Sequence, residues 1–309
     1  MMKKIPVQLN PYIKTRQAYE KLKICRSCGR FTILGDKICP SCGKSSLIKL
    51  EKKASSLQRR GFVKETILIL ALVAAGIFFS ESTLQTSLCA AGGVTALILL
   101  WMLRRNTSAE RRSYQLGKLL QRESFKLVDG LRLDREAAIE VFHNDEKQQA
   151  YEMLREIGTL VRTDQIKVEQ ILLLQSFVLR NDMDLMLEPL LLDHFNPDLV
   201  QYIGELTKLK RGLLKEKAFR YALIHEAQIL RMKDGEQILV GIAGAAVRLK
   251  RYVILYPHLV MRYARKLPKD RFLRLYNVIR HNPQHNWGAL GTEVFEIYNE
   301  KYKWDTQFQ

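Results

Sequence analysis

The hydrophobic pattern of the chain changes character along its length. Residues 62–80 and 84–103 form two nearly unbroken apolar runs, separated by a short polar stretch. Beyond residue 105 the apolar positions recur at three- and four-residue spacing: Tyr151, Leu154, Ile157 and Val161, then Val168, Ile171, Leu172 and Leu179, and later Phe272, Tyr276 and Ile279. That period belongs to helices with one buried face, and no segment there alternates with a period of two, so strands are expected only near the N-terminus. Start and stop signals divide the helices. Thr107-Ser-Ala-Glu110 matches a capping box, Asn144-Asp145 and Thr163 precede helical stripes, and Asn196-Pro197-Asp198 puts proline at a first helical position. Asp234-Gly235 breaks a long run, Pro268 opens another helix, and Asn282-Pro283 ends it. Ile238–Val247 is continuously apolar but too short to span a bilayer, which predicts a buried core helix. The expected fold is mainly α, with residues 106–309 forming one all-α domain, either solenoid-like or an irregular bundle.

Each of the two apolar runs makes roughly 30 Å of helix, the thickness of a hydrocarbon core. Glu81-Ser82-Thr83, extended by Gln85, Thr86 and Ser87, is too short to do anything but reverse the chain, so residues 62–103 are predicted to form a transmembrane hairpin. The competing reading is a pair of buried helices in a soluble domain. Lys64 and Glu65 sit at the start of the first run, where long side chains reach the interface. Arg59, Arg60 and Lys64 flank one end of the hairpin, and Arg104, Arg105, Arg111 and Arg112 the other, while the outer turn has no Lys or Arg. The positive-inside rule then predicts a two-span protein of a bacterial-type inner membrane with both termini in the cytoplasm. The first apolar run begins too late for a secretory signal peptide. Small residues at Ala71, Ala75, Gly92, Gly93 and Ala96 permit close helix approach, within the hairpin or between protomers. Cys89 is read as a packing residue.

Four cysteines precede the hairpin in the order Cys25-Arg-Ser-Cys28-Gly29 and Cys39-Pro-Ser-Cys42-Gly43. Two residues between thiolates let each pair bite one ion, and glycine after the second cysteine suits a tight knuckle needing positive φ. Four soft thiolates leave no open coordination position, the arrangement of structural Zn2+. A thioredoxin-like redox pair lacks its βαβ setting, a rubredoxin-like iron site usually has a later second pair, and disulfides need an oxidising compartment. Residues 24–44 resemble the zinc-ribbon family. The resemblance implies Cys25, Cys28, Cys39 and Cys42 as metal ligands in two knuckles, with a small hairpin at Phe31–Lys37 between them. So short a segment cannot bury a core of its own, so metal binding supplies its folding energy, roughly 10–16 kcal/mol in comparable peptides.

Charge is unevenly spread. Of the net +18, residues 1–60 carry 15 Lys/Arg against 3 Asp/Glu, whereas residues 106–309 carry 32 against 27. Much of the N-terminal excess is close to the first apolar run, at Lys44, Lys49, Lys52, Lys53, Arg59 and Arg60, and suits attraction to anionic lipid headgroups. Residues 1–23 are read as a basic N-terminal segment and the serine-rich 45–61 as a basic linker. A second block, 248–280, has Arg248, Lys250, Arg251, Arg262, Arg265, Lys266, Lys269, Arg271, Arg274 and Arg280 opposed within it only by Asp270. Tyr252, Tyr256, Tyr263, Phe272 and Tyr276 are interleaved, a mixture that can hold phosphate and stack on bases, although their helical spacing also fits a core. No phosphate loop, dinucleotide fingerprint or zinc-protease helix is present. His225-Glu226 lacks its second histidine, and His143, His194, His258, His281 and His285 are scattered. Asp182 with Asp184, and Glu136 with Glu140, are read as exposed helix charges rather than acid/base pairs. The expected function is a non-enzymatic, membrane-anchored scaffold or adaptor that binds protein partners. The alternatives are a membrane-tethered nucleic-acid binder and a zinc or redox sensor.

Overall fold

A computed structural model describes residues 4–35, 37–78 and 83–308. The chain is mostly helical and forms two compact units. One is Lys14–Ala137; the other joins Met1–Ile13 to Ala138–Gln309.

In the first unit, β1 (Lys23–Cys25) is the centre of a three-stranded antiparallel sheet, with β2 (Phe31–Thr32) on one side and β3 (Leu47–Lys49) on the other. Ile24 faces Phe31 in one pairing and Ile48 in the other. The chain leaves β3 straight into α1 (Leu50–Phe78). Residues 45–61, expected as a linker, are therefore ordered: Leu47–Lys49 completes the sheet, the Leu50 amide donates to Leu22 O (3.1 Å), and Leu50 and Ala54 are fully buried. Polar composition hid this, because few apolar side chains in the stretch announce its place in the core. A long helix, α2 (Thr83–Arg122), follows, and α3 (Ser124–His143) comes after it. Here too the expectation is corrected: the backbone at Thr107–Glu110 is the middle of α2, not a helix start. Ser/Thr-x-x-Glu caps only where the preceding residue leaves the helix, and Asn106 does not.

α1 and α2 pack along a seam in which half-buried positions alternate by three and four residues: Phe62, Thr66, Ile69, Val73 and Gly76 on α1, with Thr86, Cys89, Gly93, Ala96 and Leu100 on α2. This is coiled-coil spacing. A Cβ on Gly93 would lie 2.4 Å from Val73 Cγ2, and one on Gly76 3.3 Å from Cys89 Sγ, so the closest approach is within the pair and Cys89 is packed into it. Ala71, Ala75 and Gly92 face outward. The remaining faces are apolar and bare, including Ile67, Leu68, Leu72, Leu88, Val94 and Leu99. Both helices are long and apolar enough to cross a membrane. The expected turn at 81–83 falls largely on residues 79–82, outside the described residues. So do the side chains of Arg60, Arg104, Arg105, Arg111 and Arg112.

The second unit is a succession of helices: α4 (Lys147–Ile157), α5 (Asp164–Gln175), α6 (Pro197–Leu209), α7 (Glu216–Ile224), α8 (Glu226–Leu230), α9 (Gly235–Ala246), α10 (Lys250–Leu255), α11 (Pro257–Tyr263), α12 (Lys269–Arg280) and α13 (Gly288–Ile297). Most pack on near neighbours in sequence, α4 on α5, α5 on α6 and α11 on α13, while α9 is central, touching α6, α7, α8 and α11. The Asn196 side chain caps α6 by accepting from Leu199 N (2.9 Å), as its Asn-Pro-Asp start predicts. The apolar run at 238–247 is the buried α9. It approaches α6 closely because Gly241 lies against Thr207; an added Cβ would meet Thr207 Oγ1 at 2.5 Å. Gly241→Ala is therefore expected to lower the unfolding midpoint of the full chain, by about 1–3 kcal/mol of overpacking. Gly117→Ala in α2, with nothing within 4 Å of its new methyl, is expected to leave it unchanged or raise it. Denaturant titrations followed by circular dichroism separate the two.

Candidate metal centre

The two cysteine pairs build matching knuckles. In the first, Gly29 N–H donates to Cys25 O (3.0 Å) and Cys25 N–H to Arg30 O (3.0 Å); in the second, Gly43 N–H donates to Cys39 O (2.9 Å) and Cys39 N–H to Lys44 O (3.0 Å). Gly29 and Gly43 hold φ of +74° and +68° with open space around them, so glycine is required there by backbone conformation, not by crowding. The knuckles bring all four sulfurs within 4.8 Å of one another. Cys25 Sγ is 3.7 Å from Cys42 Sγ, and Cys28 Sγ is 3.7 Å from Cys39 Sγ. A tetrahedral ion with metal–sulfur bonds of about 2.3 Å requires edges of about 3.8 Å. The four thiols fit a metal ion.

Their electrostatics conflict without one. Burial pushes the Cys25 thiol up, but hydrogen bonds from Ser46 Oγ (2.9 Å) and from the backbone at Cys28 and Ser27 outweigh it and bring it down to about 6. For Cys28 the backbone hydrogen bond at Arg30 works downward, yet desolvation and the sulfurs of Cys25, Cys39 and Cys42 push it up to about 11. One thiolate in the knot thus suppresses its neighbour. A bound cation would favour the thiolate form of its ligands and relieve that conflict.

The knot is clamped to a helix. Asp134 on α3 is fully buried, and its carboxylate accepts from Ile33 N–H (2.8 Å), the Thr32 hydroxyl (2.9 Å) and the Arg30 guanidinium (3.0 Å). Thr32 Oγ1 in turn accepts from Leu34 N (3.1 Å). One turn earlier, Gly130 lies so close to Phe31 O that an added Cβ would sit 2.3 Å away. Burial raises the Asp134 carboxyl, while its donors at Ile33, Thr32 and Arg30 pull it back. Leu22, Ile24, Phe31, Ile33, Leu50, Leu116, Leu119 and Leu131 are buried apolar residues of this unit, so sheet, helix pair and α3 share one core. Sequence reading missed the clamp. Its signal was Asp134 standing on the stripe Leu127, Leu131, Ala138, where a carboxylate has no ordinary place.

The basic block at 248–280 looks different in three dimensions. Acidic residues from elsewhere in the unit pair with it: Glu216 with Arg251, Glu226 with Arg262 (2.5 Å), Glu293 and Glu300 with Arg265 (2.7 Å each), Glu236 with Lys266, and Asp305 with Lys269. Tyr263, Phe272 and Tyr276 are buried, and Tyr252 and Tyr256 pack on Phe219. Glu136 pairs with Arg132 and Asp182 with Arg180, as exposed helix and loop charges do. The histidines are not gathered: His225 meets Gln228 and His194 lies 3.7 Å from Asp164. Comparisons with protein-family models, curated proteins and solved structures find no match to this chain.

Asp134→Ala leaves the buried Ile33 N–H and the Arg30 guanidinium without this acceptor and is expected to cost about 3–5 kcal/mol. Asp134→Asn keeps an acceptor for Ile33 and removes the buried charge, so it is expected to cost clearly less. Thermal unfolding of the two variants measures the difference. Equal losses would show that the hydrogen bonds to Asp134 do not hold the clamp.

Proposed function

We propose that this protein is a membrane-anchored, non-enzymatic scaffold or adaptor. A zinc-ribbon knot of Cys25, Cys28, Cys39 and Cys42 around structural Zn2+ braces its anchor, and its helical unit binds a protein partner. The observation that carries the reading is the bare apolar surface of α1 and α2. An exposed apolar area of that extent is unstable in water, and hydrocarbon is the solvent that satisfies it. Positive residues at the inner ends put both termini in the cytoplasm of an inner-membrane protein, with Lys49, Lys52, Lys53 and Arg59 close to anionic headgroups. A reducing compartment keeps four thiols available to zinc. The knot supports a bracing role because its exit strand continues into the anchor and its hairpin holds α3. The nucleic-acid reading loses support from the ion pairs that engage Arg251, Arg262, Arg265, Lys266 and Lys269.

Three measurements test this. Protein purified from membranes is expected to hold one zinc per chain, and Cys39→Ser to lose it; metal-free protein with four freely titratable thiols would contradict the assignment. Reporters fused at either end are expected to be active only in the cytoplasm. Crosslinking in intact cells is expected to capture a discrete protein on residues 138–309; repeated failure under several growth conditions would count against an adaptor.

A further inference from the structure

Residues 4–13 do not belong with the ribbon that follows them; they lie extended within the helical unit. Ile5, Val7 and Leu9 turn toward the unit, while Lys4, Pro6, Gln8 and Asn10 face outward. The main chain of this segment is held along its length. Ile5 N–H donates to Ser176 O (2.8 Å), and Ile5 O accepts from Val178 N–H (2.9 Å), a parallel bridge beside the buried Phe177. Gln148 Nε2 donates to Gln8 O (2.6 Å). The two Glu152 oxygens take the Asn10 amide N–H (2.9 Å) and side-chain amide (2.7 Å), and Arg155 Nη2 donates to Asn10 O (2.9 Å). Asp184 accepts from Tyr12 N–H (3.1 Å), and the Arg155 guanidinium stands 5.4 Å from the Tyr12 ring.

Arg155 is only 4 % exposed, and its Nε and Nη1 have no hydrogen-bond partner among the described residues. Beside the segment runs a cleft of about 570 Å³, lined in part by Val7, Asn10, Asp145, Lys147, Gln148 and Glu152. Main-chain hydrogen bonds that carry affinity, with alternate side chains that carry selectivity, are how folded domains bind extended peptides. The contacts come from α4 and from residues 176–184, and none requires the peptide to be covalently attached.

We propose that this groove is a binding site for an extended segment of a partner protein, and that residues 4–13 are its resident self-ligand. The partner segment carries the resident pattern: apolar residues at alternate positions, then Asn-Pro-aromatic, as in Ile5, Val7, Leu9, Asn10, Pro11 and Tyr12. A tethered occupant competes at an effective concentration on the order of millimolar. The groove therefore stays closed until a partner segment reaches a comparable local concentration, as it does between proteins held on one membrane surface. This deepens the adaptor reading and rests on it for the existence of the partner.

The test uses the full chain in detergent, a form lacking residues 1–13, and full-length Ile5→Asp, each titrated with a fluorescent peptide of residues 4–13. Both altered forms are expected to bind saturably and the unaltered chain at least ten-fold more weakly. Arg155→Ala, added to the shortened form, is expected to weaken binding at least ten-fold. The proposal is overturned if folded altered forms do not bind, if the unaltered chain binds as well as they do, or if both altered forms lose their helical circular dichroism. A dimer crosslinked between Lys4 of one copy and Glu205 of another would make a second copy the occupant and overturn it too. Peptide binding reports on the groove alone, so its failure is distinct from a failure to capture any partner in cells.

Discussion

Four sulfurs held within 4.8 Å of one another cannot all carry charge unless a cation sits among them. The bracing role proposed for the knot rests on that constraint. The knuckles set where β1 and β2 run, β2 carries Phe31, Thr32 and Ile33 to α3, and β3 leads without a break into α1. Next to the knot, Asp134 receives three donors in register, from Ile33, Thr32 and Arg30, so its buried carboxylate is not left unpaired.

The same two helices are covered along part of their length and bare along the rest. At one end of the pair, Leu50 and Ala54 on α1 and Leu116 and Leu119 on α2 are buried in a core shared with the sheet. Further along, Ile67, Leu72, Leu88 and Leu99 have no protein against them. A seam of small residues, closest at Gly93 and Val73, lets the pair pack together along its bare length. The proposed brace therefore sits at the end where the chain uses ordinary core packing.

Sequence reading reached the parts that obey local rules. Asn196-Pro197-Asp198 opened a helix, the ten apolar residues from Ile238 made a buried one, and the paired Cys-x-x-Cys-Gly motifs came together as their spacing implies. It failed where distant partners decide. Thr107–Glu110 resembles a cap, but uninterrupted helix on both sides absorbs it. The stretch 45–61 looked like a linker because its order comes from pairing with β1, which composition does not report. The 248–280 block looked unopposed because Glu216, Glu226, Glu293 and Asp305, which pair with part of it, lie outside it in sequence. Asp134 and residues 4–13 act through contacts with residues more than a hundred positions away.

Hydrogen exchange of the detergent-solubilised chain before and after zinc removal tests the bracing role most directly. Removal is expected to abolish protection of the Ile33 amide and its neighbours in 22–34. Protection should also fall on the Gly130–Asp134 turn of α3, while α6 and α9 stay unchanged. Unaltered protection at Ile33 and along α3 in metal-free protein would contradict it.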